Sequence, residues 1–230
     1  MHFHHSPGIW QDHPELVAGV ICAVGITPHP VVRSRCEPFN AVVASRLAGA
    51  AEGEFPEIQA WRRAFSKMGL KPTQYRCAAE SLLRRFRKEG ALPSIHPLID
   101  LCNAVSMAFA IPVAVFDIAG ITGGLEVRHA AGTEDYLSFS GETEQPDRGE
   151  VIFADEAGRA HARRWTNRQS GSSAIRSDTS AVLLVAEALH DSAGADIQKL
   201  TAVLAGEIKA IWQVEPRSMI LGQSRRRFDA

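Results

Sequence analysis

Residues 92–117 read LPSIHPLIDLCNAVSMAFAIPVAVFD, and the fold turns on how this run divides. Pro97 opens a stretch with little polar surface, and the stretch must close before Pro112, because the residue ahead of a proline is pushed out of the helical region. The spacing predicts a central helix over about 97–110, followed by VAVFDI as a β-strand. Asn103 is the unusual residue on that helix, since a buried amide without partners costs about 1–3 kcal/mol.

Downstream, VAVFDI and LEVRHA flank the turn AGITGG and read as paired strands, with YLSF and EVIFAD as two more. HARRWTNRQSG, residues 161–171, gathers three arginines, a tryptophan and two amides. His161, Arg163 and Arg164 are expected on a solvent-exposed strand or edge, and TNRQSG is expected to line a small polar site. TSAVLLVAEAL begins as a strand and is expected to turn helical over Glu187 to His190. An amphipathic helix is predicted over 195–213 from Leu200, Val203, Leu204, Ile208, Ile211 and Trp212. The tail SRRRFDA reads as a frayed basic end.

Upstream, VAGVICAVGI (17–26) reads as a buried strand, and residues 37–90 as a helical part. Ile58, Trp61, Phe65 and Met68 form one helical stripe that stops at Gly69. PTQYRCAAESLLRRFRKEG predicts a further helix with Thr73 as cap and Gly90 as stop. Cys77, Leu82, Leu83 and Phe86 would face inward and Arg76, Arg84, Arg85, Arg87 and Lys88 outward. Those cations are either a solvated face, with Glu80 pairing to Arg84, or a phosphate-contacting strip. HFHH near the start reads as a frayed terminus. Helices on both sides of a β-rich centre predict an α+β fold, one domain over residues 1–230.

The 230 residues are 45% hydrophobic and 22% charged, with net charge −1; this is a globular composition with no global field for a polyanion. No signal sequence opens the chain and no segment is apolar enough to span a bilayer, so the expectation is a cytoplasmic protein without a membrane partner. Cys22, Cys36, Cys77 and Cys102 form no CxxC pair, so neither a metal nor a cofactor is expected. GxSxG, P-loop, HExxH and dinucleotide fingerprints are absent. A Ser-His-Asp set assembled in space stays open. The polar residues to weigh are Asn103, then Thr166, Asn167, Arg168, Gln169 and Ser170, and Glu187. Amides and a guanidinium can hold a polar ligand or support an oxyanion, and Glu187 could orient a water. Each of them could equally be structural.

The D-x-x-N of IDLCN, the P-x-x-x-F-D of PVAVFD, and the later ITGGLEVRHAAGTEDYLSFSG and AVLLVAEAL together resemble the B3/B4 domain of the bacterial phenylalanyl-tRNA synthetase beta subunit. The resemblance runs over about residues 92–189. GLKPTQYRCAAESLLRR ahead of it is similar to what precedes the domain in free-standing B3/B4 proteins. The resemblance implies an editing site that hydrolyses the ester of mischarged aminoacyl-tRNA, here in trans. It implies that Asn103 lies in the pocket, that Ala114 stands where the family has a histidine, and that Val185 stands where it has a glutamate, with Glu187 two residues on as a substitute. The expected roles are Glu187 and Asn103 in catalysis, Thr166, Asn167, Arg168, Gln169 and Ser170 in substrate binding, and Arg84, Arg85, Arg87 and Lys88 against tRNA. The alternatives are a non-catalytic module holding tRNA or an amino acid, and a hydrolase or binder of another small amino-acid derivative.

Overall fold

The computed structural model describes residues 1–230. The chain opens with strand β1 (His2–His5), helix α1 (Pro7–Asp12) and strand β2 (Val17–Val24). Four helices follow: α2 (Arg33–Gly49), α3 (Pro56–Lys67), α4 (Ala78–Glu89) and α5 (Pro97–Phe109). The β-rich middle comprises β3 (Val113–Asp117), β4 (Leu125–His129), β5 (Tyr136–Leu137), β6 (Thr143–Glu144), β7 (Val151–Asp155), β8 (Ala160–Arg163), β9 (Arg168–Gln169) and β10 (Ala181–Ala188). Helix α6 (Ala193–Trp212) and strands β11 (Arg217–Leu221) and β12 (Arg227–Asp229) complete the α+β arrangement.

The strands form a six-stranded sheet in the order β12-β1-β4-β7-β8-β9, a four-stranded sheet β11-β2-β10-β3, and the small pair β5-β6. The four-stranded sheet is covered on both faces. Ile21, Val115, Leu184 and Ala186 pack with Leu101 and Val105 of α5 and with Ile197 and Leu204 of α6. On the other face, Val20, Phe116, Leu183 and Val185 meet Phe3, Val127 and Phe153 of the six-stranded sheet together with Trp61 and Phe65 of α3. Burial on two faces is why VICAV and VLLVA are continuous apolar runs rather than alternating ones.

Several expectations are corrected. VAVFD and LEVRH are not partners: β3 pairs with β10, and β4 with β7 and β1. AGITGG is therefore a crossing between sheets rather than a hairpin turn. Glu187 lies inside strand β10, opposite Ala18 of β2, because tertiary pairing along the whole of β10 overrides the helical propensity of AEAL. HFHH is not frayed; β1 lies between β12 and β4 with Phe3 and His5 buried. The basic tail is likewise ordered, with Phe228 opposite Phe3. Of YLSF only Tyr136 and Leu137 are strand. Helix α4 starts five residues beyond Thr73, at Ala78, with Cys77 in the capping position and no side-chain cap.

Candidate functional site

The turn after β8 carries two consecutive non-glycine residues with positive φ, Arg164 at 47° and Trp165 at 57°. Left-handed geometry in ordinary residues costs of order 1 kcal/mol or more each and persists only where surroundings enforce it. Here the turn directs the next four residues into a cleft of about 60 Å³ lined by Ala78, Pro112, Val113, Ala114, Phe153, Ala162 and Trp165–Gln169. Thr166, Asn167, Arg168 and Gln169 thus share one site with Ala114.

The polar atoms of that site are partly committed. Asn167 Nδ2 donates to the Arg76 carbonyl at 2.7 Å, and Gln169 Nε2 to the Val115 carbonyl at 2.5 Å. Because a carbonyl partner fixes which end of each amide is nitrogen, Asn167 Oδ1 and Gln169 Oε1 are left as acceptors. The buried Thr166 hydroxyl has no partner within the protein. Arg168 bonds Glu144 and lies over the Tyr136 ring. Ser170 is fully buried and donates to the Leu137 carbonyl, outside the cleft lining. The functions left without a protein partner on the lining side chains are the two amide acceptors, a set suited to an ammonium group.

Glu187 does not line the cleft. It lies behind Trp165, where Oε1 accepts the indole Nε1–H at 2.9 Å and contacts His5 Nε2 at 2.6 Å. Both side chains of the His5–Glu187 pair are sealed, at 0% and 1% exposure. Sequence reasoning missed His5 because its partner lies 182 residues away. The alternation of Phe3 and His5 was the one available signal. Trp165 was visible in HARRWTNRQSG but carried no mark of its role.

Asn103 is brought to a different place. It is half-buried and lines a separate groove of about 780 Å³ between α2 with the Pro28–Pro30 turn and α5 with the Ala91–Ile95 loop. The structure therefore does not unite Asn103 with Glu187 or with Thr166–Gln169. His96 in the same groove accepts the Leu98 amide on Nδ1, and burial lowers its pKa.

A Ser-His-Asp set is indeed assembled in space. Ser173 Oγ is 2.8 Å from His161 Nδ1, and Asp155 Oδ2 is 3.2 Å from Nε2. All three are buried, Ser173 at 1% exposure, so the hydroxyl has no path to a substrate. His161 and Arg163 are buried, not solvent-exposed as expected. Arg163 owes this to ion pairs with Glu144 and Glu150 that neutralise it inside the fold. Thiol chemistry is also disfavoured: burial pushes Cys36 up to about 11 and Cys77 to about 12.

The basic helix is partly neutralised from an unforeseen side. The buried Glu52 carboxylate lies 3.1 Å from Arg87 and 3.9 Å from Arg84, and Arg85 bonds Glu89. Glu80 pairs not with Arg84 but with Arg62 and Arg76. Helix α4 nevertheless ties this strip to the cleft, since the amide of Ala78 in its first turn donates to the Thr166 carbonyl at 2.8 Å. At 1.5 Å per residue, positions 84 to 88 stand roughly 9 to 15 Å along the helix from that point.

This chain belongs to the B3/4 domain family, whose family model matches residues 60–202. It is similar to the phenylalanine–tRNA ligase beta subunit of Cereibacter sphaeroides, at 37% identity over 76 residues, 33% of this chain and 9% of that protein. The Haemophilus influenzae beta subunit is 22% identical over 142 residues, 62% of this chain and 17% of its own length. The chain thus spans less than a fifth of these curated relatives. Among solved structures, an N-terminal fragment of the phenylalanyl-tRNA synthetase beta subunit from Pyrococcus horikoshii matches 94% of this chain and 50% of its own, with a TM-score of 0.49 and 9% identity. No helix is long and apolar enough to cross a membrane.

Proposed function

We propose that this protein binds the aminoacyl end of tRNA in the cleft at Ala114 and Thr166–Gln169 and hydrolyses the ester of mischarged tRNA in trans. The observation that carries the reading is the convergence of those residues in one cleft that opens beside the first turn of a basic helix. Asn167 Oδ1 and Gln169 Oε1 would accept from the α-ammonium group. Arg84, Arg85, Arg87 and Lys88 would lie against the tRNA backbone.

Water attacks the ester carbonyl, its oxygen forms the new bond to carbon, and the bond to the terminal ribose oxygen breaks with that oxygen taking up a proton. No carboxylate or imidazole lines the cleft, so the protein's share is positioning. An aminoacyl ester is already activated, and fixing it against an oriented water supplies a large part of the acceleration. Arg168 is the one cation on the lining and, although its guanidinium is shared with Glu144, would support the developing oxyanion with its remaining N–H groups.

The absence of an acid or base from that lining favours a second reading, a module that holds the aminoacyl end without cleaving it. One experiment separates the two. A set of mischarged tRNAs is followed for loss of the amino acid with and without the protein, and tRNA binding is measured at several salt concentrations. Faster deacylation of at least one species supports the enzyme. Binding that weakens with salt, with no acceleration for any species, supports the module. Absence of both overturns the tRNA reading.

A further inference from the structure

The cleft's walls limit what it can admit. It is open to solvent on one side and offers about 60 Å³, against roughly 150 Å³ for a cavity that holds a benzene ring. Ala114 contributes little bulk, and the bulky walls are the fully buried Phe153 and Trp165, of which Trp165 leads directly into the polar run Thr166–Gln169. That indole is not free to swing away. Its edge is hydrogen-bonded to Glu187, its ring meets Trp61 edge-on at 5.0 Å and His13 at 4.9 Å, and its backbone sits in the enforced left-handed turn. Beside it, the Thr166 hydroxyl is itself buried and without a partner, so that side of the cleft adds no depth.

We infer that the acyl group this cleft accepts is that of a small amino acid, in the range glycine to serine, and that Trp165 is the residue that excludes larger side chains. The inference rests on the proposed binding of an aminoacyl end here. Glu187 and His5 are positioning residues in it, acting through the indole. Discrimination by a rigid wall is steric, and each excess methylene is worth roughly 10- to 200-fold.

The test measures binding of alaninamide, serinamide, phenylalaninamide and tyrosinamide to the full chain by NMR line and shift changes, with the Trp165 indole N–H as the reporter. The small amides are expected to bind at least roughly tenfold more tightly than the aromatic ones. W165F, which trims the ring and keeps an aromatic core residue, is expected to narrow that preference. A114L, which fills the cleft from the opposite side at the margin of the core, is expected to abolish binding of all four, with an unchanged urea midpoint showing that the fold is kept. Aromatic amides bound as well as alaninamide, or no amide bound at all, overturns the inference. Small-amide binding without hydrolysis of any mischarged tRNA overturns the deacylase reading and leaves this one standing.

Discussion

Ala114 and Val185 are directly opposed across the β3–β10 pair and project to the same face of the sheet, where Val185 is 1% exposed in the core between the sheets and Ala114, packed at the margin of that core, also lines the cleft. By resemblance these are the positions of the family's histidine and glutamate, so the two replacements are neighbours. A114H is expected to cost less than V185E, because Ala114 borders the cleft whereas Val185 is sealed in the core. V185E is expected to cost about 3 kcal/mol or more, as an unpaired carboxylate among apolar side chains. Urea denaturation of the two variants checks the contrast.

The His5–Glu187–Trp165 set makes a second prediction. E187A leaves the indole N–H and the His5 ring without their buried acceptor, and breaking such a pair from one side costs about 3–5 kcal/mol. E187Q keeps an oxygen for the indole and is expected to cost about half as much or less. Equal midpoints in urea for E187Q and E187A would contradict this account.

Glu134 gives the acid limb of stability. Burial pushes its carboxyl up, but the backbone N–H of Ala131 and the Arg128 guanidinium outweigh that and hold it at about 2, below the ordinary 4.5. A carboxylate depressed in the folded state stabilises above its unfolded pKa and loses that contribution as pH falls toward the folded one. Wild-type stability is therefore expected to decline between about pH 4.5 and 2 more steeply than that of E134Q. Thermal melts across that window read the difference.

Gly120 sets how closely two connections approach. A Cβ there would lie 2.4 Å from the Ser172 carbonyl oxygen and 3.0 Å from Ser173 Cα, and backbone atoms cannot rotate aside. G120A is expected to destabilise by about 1–3 kcal/mol. Because Ser173 Oγ holds His161, the strain should also shift the His161 ring resonances in NMR spectra.

The helices α3, α5 and α6 were legible because their apolar stripes and proline or glycine stops are local. Strand β2 was legible as an apolar run. Thr166–Gln169 were legible as a polar cluster, and the structure brings these four residues to one cleft. What escaped was long-range. Nothing in HFHH or SRRRFDA announces a strand until Phe3 and Phe228 are seen opposite one another. AEAL has helical composition, and only pairing with β2 and β3 makes it a strand. Glu52 was invisible as the partner of Arg84 and Arg87 because it comes from a separate short turn.

The 182-residue separation of His5 and Glu187 also has a kinetic meaning. Closing so long a loop is slow to initiate compared with forming helices, so the support behind Trp165 belongs to the late steps of folding. Local fraying would not release that wall, since its anchor is a strand interior to the six-stranded sheet. Hydrogen exchange at the Trp165 indole should therefore track opening of the whole structure, whereas amides of the Gly141–Glu142 turn exchange by local motion. The shape of the cleft is a property of the complete fold, available only after β1 has brought His5 to Glu187 of β10.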